Sequence, residues 1–260
     1  MNVQELFSLK GRVVLVTGST VNYGACIATG LAEAGAAVII TSRNLEKSQK
    51  KANELVKMGF SVTPGQLDIA DEKSIRTLKE KIISEHGRID ILVNNAVLRP
   101  GGPGMSLAQV WQESMRVNAV GLHLCTSIFL EQMAKQKKGN IINIASMYGM
   151  VAQYLPMYVG TGFESDESGD YFFHKAGMIN YTRFLAVRCA SDNIRVNCIS
   201  PGGLFANQPE RFLERYYRHV PLGRMADEDD IKGAVVYLAS EASSYVTGHN
   251  LVVDGGWTIW

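Results

Sequence analysis

The chain has 260 residues, of which 46% are hydrophobic and 20% charged, and its formal net charge is +1. This composition is typical of a globular protein with a sizeable core, and near-neutral charge argues against a nucleic-acid or anionic-membrane partner. No apolar stretch is long enough to span a bilayer and the first residues lack the apolar core of a signal peptide, so we expect a cytoplasmic protein.

Short apolar runs alternate with longer helical patterns along the chain. Most runs are apolar at both odd and even positions, as in strands that are covered on both faces. The predicted strands are "RVVLV", "AAVII", "SVTPGQLD", "IDILVNN", "GNIINIAS", "IRVNCIS" and "NLVVDGG". The helical patterns include "GACIATGLAEAG", "LEKSQKKANELVKMG", "DEKSIRTLKEKIISEHG" and "DIKGAVVYLASEAS". This alternation predicts an α/β fold with one Rossmann-like, doubly wound parallel sheet of about seven strands, flanked by helices, in a single domain over 1–260.

Two segments interrupt this alternation. An insertion near 153–170 is rich in glycine and acidic residues, and a longer excursion near 203–225 contains its own helical piece. Long insertions in compact domains are often functional, and we interpret the second segment as a lid over the substrate. Its Arg211, Arg215 and Arg218 either hold an anionic group or form a solvated helix face.

The four cysteines are scattered in apolar contexts. Cys26, Cys125, Cys189 and Cys198 show neither CxxC nor His-paired spacing. We therefore expect buried, reduced thiols and no metal site.

The stretch "TGSTVNYG" (17–24) follows the first predicted strand and opens a helix. Gly18 permits a tight exit from the strand, and Gly24 permits the helix to pack closely. Backbone N–H groups at the helix start favour a pyrophosphate, and Ser19 and Thr20 add hydroxyl donors. Asn22 stands where a further glycine is expected, and asparagine tolerates a positive φ better than most residues.

This turn resembles the T-G-x-x-x-G-x-G turn of the short-chain dehydrogenase/reductase family. Five further motifs follow in the family's order, so the resemblance covers nearly the whole chain. They are "NNA" at 94–96, "VNAVG" at 117–121, "NIASMYG" at 143–149, "YFFHK" at 171–175 and "SPGG" at 200–203. The resemblance implies an enzyme that transfers a hydride between a nicotinamide cofactor and a carbonyl or secondary alcohol.

The expected proton-transfer group is Tyr171. Lys175 lies four residues later and so on the same helix face, where its ammonium would favour the phenolate. By the resemblance, Ser146 hydrogen-bonds the reacting oxygen, and the backbone of Asn118 holds a water that links Lys175 to solvent. These four residues form the predicted catalytic set.

The predicted cofactor is NADP, with NAD as the less favoured alternative. Ser42 occupies the place where NAD-preferring relatives commonly carry aspartate, and the guanidinium of Arg43 can bind a 2′-phosphate. Asp68 and Ile69 resemble the pair that flanks the adenine, and Pro201 and Gly202 resemble the turn that contacts the carboxamide. The full predicted set of cofactor contacts is Gly18, Ser19, Thr20, Asn22, Tyr23, Gly24, Ser42, Arg43, Asp68, Ile69, Asn95, Ala96, Tyr171, Lys175, Pro201, Gly202 and Leu204.

The substrate is expected to be a small molecule that borders the insertion between Ser146 and Tyr171. Glu164, Asp166, Glu167 and Asp170 either accept hydrogen bonds from a hydroxyl-rich substrate or form a solvated acidic loop. The insertion and the "DGGW" ending resemble members that act on sugars or sugar acids. The tail "VDGGWTIW" ends in two tryptophans, which we interpret as exposed anchors of a homotetramer.

Three alternatives remain open. One is a non-catalytic dinucleotide-binding regulator of the same fold, and another is a lyase or epimerase. The third is the enoyl-reductase branch, whose wider Tyr–Lys spacing would need tyrosine where Ser168 stands.

Overall fold

A computed structural model describes residues 1–163 and 166–260 of the chain. One sheet holds seven parallel strands in the order β3-β2-β1-β4-β5-β6-β7. The strands are β1 Val13–Val16, β2 Ala37–Ser42, β3 Val62–Gln66, β4 Ile91–Asn94, β5 Gly139–Ile144, β6 Ile194–Pro201 and β7 Asn250–Val253. Each of the seven apolar runs overlaps one strand, and the predicted doubly wound α/β fold is confirmed.

Helices cover both faces of this sheet. They are α1 Val3–Phe7, α2 Asn22–Glu33, α3 Leu45–Lys57, α4 Glu72–His86, α5 Leu107–Met115, α6 Leu122–Gln136, α7 Asp170–Cys189, α8 Glu210–His219 and α9 Lys232–Ala239. A six-residue π-helix, Arg116–Gly121, joins α5 to α6. The two faces of the sheet carry separate apolar clusters, one beneath α2 and α9 and one beneath α4, α6 and α7.

The strand order reverses direction between β1 and β4. Chain connections leave this point on opposite faces of the sheet, so a crevice opens beyond the carboxyl ends of the two strands. The turn after β1 and the segment after β4 border this crevice.

A series of buried side-chain hydrogen bonds links the central strands to α7. Asn94 donates to Asn143 Oδ1 at 2.9 Å, and Asn143 donates to Thr182 Oγ1 at 2.9 Å. Asn143 is fully buried and Thr182 is nearly so. Since a buried amide without a partner is costly, this series of hydrogen bonds fixes α7 against the ends of β4 and β5.

The described parts of the chain contain no helix that is both long and apolar enough to cross a bilayer. The four cysteines are free and buried, as the sequence predicts.

Replacement of Thr182 by valine is expected to destabilise the fold by about 1–3 kcal/mol, because the Asn143 amide loses its acceptor. Thr29→Val is the matched control: each hydroxyl donates to the carbonyl four residues earlier, but only Thr182 also accepts a buried donor. Urea denaturation measures both changes. An equal loss of unfolding free energy in the two variants would contradict the role of the buried hydrogen bonds.

Candidate active site

The glycine turn after β1 forms one end of a long cleft. Gly18 has a φ of +61° and Asn22 a φ of +49°, so asparagine adopts the positive φ expected of it. A Cβ on Gly24 would lie 2.3 Å from the Gly18 carbonyl oxygen. Close packing of the first turn of α2 against the glycine turn therefore requires glycine at position 24, as predicted.

The N-terminus of α2 is open to an anion. Val21, which precedes the helix, makes no side-chain cap, and the first turn carries no acidic residue. Among residues 1–163 and 166–260, no acceptor binds the N–H groups of Asn22, Tyr23 or Gly24. These N–H groups and the helix dipole suit a phosphate group.

The segment after β4 locks the glycine turn in place. The Asn95 amide donates to the carbonyl oxygens of Thr17 and Gly18 at 3.0 and 2.7 Å. In return, the Thr17 hydroxyl accepts from the N–H groups of Asn95 and Ala96 at 3.0 and 2.9 Å. The shape of the turn is thus set by β4 as well as by its own glycine.

The cleft has a volume of about 710 Å³ and runs from the glycine turn to Tyr171 and Lys175. It is lined by every predicted cofactor contact except Ser19, and by Ser146 of the predicted catalytic set. At the far end from Tyr171, Ser42 and Arg43 border the cleft, and Arg43 is exposed. The structure therefore brings residues from the ends of six strands, β1 to β6, to one continuous surface.

The prediction for the Ser19 hydroxyl is wrong. Ser19 is fully buried, and its hydroxyl donates to the Val16 carbonyl at 2.8 Å and accepts from the Thr41 N–H at 2.9 Å. Its own N–H donates to the Thr41 carbonyl at 2.9 Å. Ser19 thus joins β1 to β2 and offers no donor to the cleft.

Tyr171, Lys175 and Ser146 meet at the inner end of the cleft. Lys175 is only 3% exposed, and its ammonium donates to the Ile144 carbonyl at 2.6 Å. The Lys175 Nζ lies 5.7 Å from the centroid of the Tyr171 ring. β5 therefore holds the ammonium in place beside the phenol.

Burial raises the pKa of the Tyr171 phenol, but nearby groups more than reverse this effect. The charges of Lys175 and Arg99 and the nearby Ser146 hydroxyl bring its pKa below the ordinary value of 10.0. Burial also lowers the pKa of Lys175, although the neighbouring Tyr171 phenol partly raises it again. A phenol in this setting exchanges a proton more readily than an isolated tyrosine does.

Asn118 is buried in the π-helix and does not line the cleft. Its side chain accepts from the Leu98 N–H at 2.8 Å and donates to the Leu98 carbonyl at 2.7 Å and to Ser114 Oγ at 3.0 Å. The side chain thus clamps the segment after β4, a role that the sequence did not reveal. The water-holding role of its backbone stays a prediction.

A second cavity of about 250 Å³ adjoins the cleft at Tyr171. Arg99, Tyr148 and Tyr171 line both spaces. The predicted insertion borders this cavity through residues of three kinds, namely the amide Gln153, the aromatic Tyr158 and Phe163, and the polar Asp166, Ser168 and Asp170. Glu167 is exposed and does not line the cavity, and Glu164 lies outside the described residues.

Of the three arginines of α8, Arg218 is exposed, as the solvated-face alternative expects, whereas Arg211 and Arg215 contact the insertion. Arg215 donates to the carbonyl oxygens of Pro156 and Val159 at 2.8 and 2.6 Å, and Arg211 reaches the Gly160 carbonyl at 3.4 Å. These two arginines therefore bind α8 to the insertion.

The prediction of two exposed tryptophans is wrong for Trp257. Trp257 is 2% exposed and stacks on Tyr216, with ring centroids 4.6 Å apart, whereas Trp260 is 73% exposed. The tail packs against α8 within the same chain because Tyr216 and Phe212 present an apolar face to it.

The chain was compared with known proteins. A family model described as "Enoyl-(Acyl carrier protein) reductase" matches residues 22–258. A 3-oxoacyl-[acyl-carrier-protein] reductase FabG of Aquifex aeolicus is 35% identical over 254 residues, which is 95% of this chain and 98% of the relative. An NADP-dependent mannitol dehydrogenase of Hypocrea jecorina is 36% identical, over 98% of this chain and 95% of the relative.

A crystal structure of a gluconate 5-dehydrogenase from Burkholderia cenocepacia, in complex with NADP and tartrate, superposes with a TM-score of 0.88. It is 30% identical and the match covers 100% of both chains. The chain belongs to the short-chain dehydrogenase/reductase family. It is an oxidoreductase of the kind that acts on CH–OH or ketone groups.

Two residues where the cleft meets the second cavity were not predicted from the sequence. Arg99 and Tyr148 line both the cleft and the second cavity, yet neither was proposed. The Gly/Pro-rich stretch "RPGGPG" (99–104), which follows β4, could have indicated a functional loop. Loops at the carboxyl ends of parallel strands often carry functional residues. Tyr148 lies only two residues after Ser146, in the 3₁₀ turn Met147–Gly149.

Gly24→Ala is expected to lower the free energy of unfolding by about 1–3 kcal/mol, because the added Cβ would strike backbone. Gly233→Ala is the matched control: it lies in the first turn of α9, and an added Cβ there meets nothing within 4 Å. Chemical denaturation should show Gly233→Ala to be neutral or stabilising. A harmless Gly24→Ala would contradict the packing described for the turn.

Proposed function

We propose that this protein is an NADP-dependent oxidoreductase that transfers a hydride between the nicotinamide and a carbonyl or secondary alcohol of a hydroxylated substrate, such as a sugar or sugar acid. The observation that carries the proposal is the single cleft that joins the open N-terminus of α2 to Tyr171, Lys175 and Ser146. One end suits a pyrophosphate, and the other holds an acidified phenol.

The residues of the cleft fit a dinucleotide. The glycine turn, the free N–H groups of α2 and the position beside the strand reversal are the features that such a cofactor needs. Tyr23 adds rigidity, since its hydroxyl donates to the Gly202 carbonyl at 3.1 Å and joins α2 to the turn after β6. The bound nicotinamide supplies or accepts the hydride.

The preference for NADP rests on the end of β2. No carboxylate stands at Ser42, and the exposed guanidinium of Arg43 borders the cleft beside it. A guanidinium binds a phosphate through two parallel hydrogen bonds, and the missing carboxylate removes the repulsion. The mannitol dehydrogenase relative is described as NADP-dependent, and the gluconate 5-dehydrogenase structure contains NADP.

Proton transfer is assigned to Tyr171. In reduction the phenol donates its proton to the carbonyl oxygen, and in oxidation the phenolate takes the proton from the alcohol. The Ser146 hydroxyl orients the substrate oxygen, and Lys175 stabilises the phenolate. The backbone of Asn118 is proposed to pass the proton towards solvent through a water.

The second cavity is proposed to hold the rest of the substrate. Its polar lining includes Arg99, Gln153 and Ser168, together with the carboxylates of Asp166 and Asp170. Hydroxyl groups both donate and accept, so a hydroxylated chain can use all of these partners. The descriptions of two relatives, a mannitol and a gluconate dehydrogenase, agree with this substrate class.

The enoyl-reductase alternative is not supported by the site. Ser168 stands where that branch would need tyrosine, and it donates to Asp166 through its N–H and to Asp170 through its hydroxyl. A cytoplasmic homotetramer stays part of the proposal, with Ile259 and Trp260 exposed at the tail.

Tyr171→Phe is expected to reduce turnover by at least about 10²-fold, because well-placed proton transfer contributes about 10²–10⁴ in rate. Dinucleotide binding should persist. Turnover is followed by the absorbance of the reduced cofactor, with a panel of polyols, keto sugars, sugar acids and simple ketones. Tyr181→Phe is the control, since Tyr181 lies on the same helix and binds His123 outside the cleft.

Retained turnover in Tyr171→Phe would contradict the assignment. A wild-type protein that binds the dinucleotide but reduces no carbonyl of the panel would instead favour the regulator.

Arg43→Leu is expected to weaken NADPH binding by about 10- to 100-fold, as the loss of a charged hydrogen bond implies, and to leave NADH binding unchanged. Lys50→Met removes an exposed charge from α3 outside the cleft and serves as control. Fluorescence titration of both cofactors measures the change. Equal weakening of both cofactors, or none, would contradict NADP recognition by Arg43.

A further inference from the structure

Arg99 stacks on the face of the Tyr171 ring. Its Cζ lies 4.0 Å from the ring centroid, closer than the ammonium of Lys175 at 5.7 Å. Arg99 comes from the segment after β4, whereas Lys175 lies on α7. Two cations from separate elements thus flank one phenol.

The backbone beside Arg99 is held rigidly. Both polar backbone groups of Leu98 bind the Asn118 side chain, with distances of 2.8 and 2.7 Å. Asn118 is itself buried within the π-helix. The clamp fixes the backbone from which the Arg99 side chain extends.

We propose that Arg99 is a second cation that stabilises the phenolate form of Tyr171 together with Lys175; this inference rests on the proposed role of Tyr171 in proton transfer. Phenolate carries negative charge into its ring, so a guanidinium over the ring attracts the phenolate more strongly than the phenol. Arginine keeps its charge at all working pH values, which a buried lysine does not guarantee. Arg99 therefore acts on the base without itself exchanging a proton.

The charge of Arg99 is not cancelled by an ion pair. None of the salt bridges within residues 1–163 and 166–260 includes Arg99. The carboxylates of Asp166 and Asp170 line the same cavity, where Asp166 accepts from the Ser168 N–H and Asp170 from the Ser168 hydroxyl. The negative charges of these carboxylates disfavour the phenolate form of Tyr171. A second cation beside the ring counteracts this effect.

The remaining titratable groups around Tyr171 are neutral at neutral pH. His174 packs edge-on with its centroid 5.2 Å away, and burial lowers its pKa to about 3. Burial raises the pKa of Tyr23, on α2, and of Tyr148, after β5. In the described part of the chain, Lys175 and Arg99 are the charges that lower the pKa of Tyr171.

If Arg99 stabilises the phenolate, its removal shifts the pH dependence of kcat/KM. Oxidation needs the phenolate, so kcat/KM rises with pH through the pKa of Tyr171 and levels off above it. Removal of Arg99 should move this rise to higher pH by about 1–2 units, within the shift of about 1–3 units that an opposite charge within about 4–6 Å produces. At a pH below the transition, this shift equals a loss of about 10- to 100-fold in kcat/KM.

The test compares Arg99→Met, Arg99→Lys and Arg76→Met. Methionine removes the charge, and lysine keeps it on the same segment. Arg76 is an exposed arginine on α4 that pairs with Glu72, so its variant controls for net charge alone. The pH profile of alcohol oxidation is measured for each, with a substrate found in the panel above.

A second readout needs no substrate. Phenolate absorbance is titrated in each protein and in the same protein carrying Tyr171→Phe, and the difference reports Tyr171 alone. This titration distinguishes failure of the inference from failure of the proposed function, because it does not depend on turnover.

Expected results are a higher Tyr171 pKa in Arg99→Met, substantial recovery in Arg99→Lys, and no shift in Arg76→Met. An unchanged pKa in Arg99→Met would overturn the proposal. So would a loss in kcat/KM of equal size at every pH, which would make Arg99 a substrate-binding residue only. Equal shifts of the Tyr171 pKa in Arg99→Met and Arg76→Met would show that only the net charge of the protein matters, and would also overturn the proposal.

Discussion

The site depends on one buried ammonium. Lys175 is almost fully removed from solvent, and its hydrogen bond to the Ile144 carbonyl holds it at the end of β5. A buried charge is costly unless its donors find partners. An ammonium has three donors, and the Ile144 carbonyl accepts one of them. The proposed cofactor, through its ribose, and the phenolate of Tyr171 are the partners that would satisfy the others.

Every proposed catalytic side chain lies on a helix or just beyond the end of a strand. α7 carries Tyr171 and Lys175, and the Asn94–Asn143–Thr182 chain fixes that helix to the central strands. The same strand β4 continues into the segment that locks the glycine turn through Asn95 and presents Arg99. The glycine turn and Tyr171 are therefore positioned by neighbouring strands, so the distance between them is set by sheet geometry.

Much of this architecture was predictable because it depends on local patterns. Apolar runs of strand length identified all seven strands, and the four-residue spacing placed Tyr171 and Lys175 on one face of a helix. The positive φ of Asn22 followed from the side-chain chemistry of asparagine.

What escaped prediction depends on partners distant in sequence. The Ser19 hydroxyl turns towards Thr41 of β2, Trp257 stacks on Tyr216 of α8, and Arg215 binds carbonyls of the insertion. No local pattern encodes these contacts. Arg99 was missed for the same reason, since only the folded chain brings the segment after β4 over the Tyr171 ring.

The pKa of the Tyr171 phenol tests the central claim most directly. Tyrosine labelled with ¹³C at Cζ gives one resonance per residue, and the Tyr171→Phe variant assigns the resonance of interest. Titration of the unliganded wild-type protein should give a pKa below 10.0, the ordinary value for tyrosine. A pKa at or above that value would mean that burial outweighs the cations, and would contradict Tyr171 as the proton-transfer group.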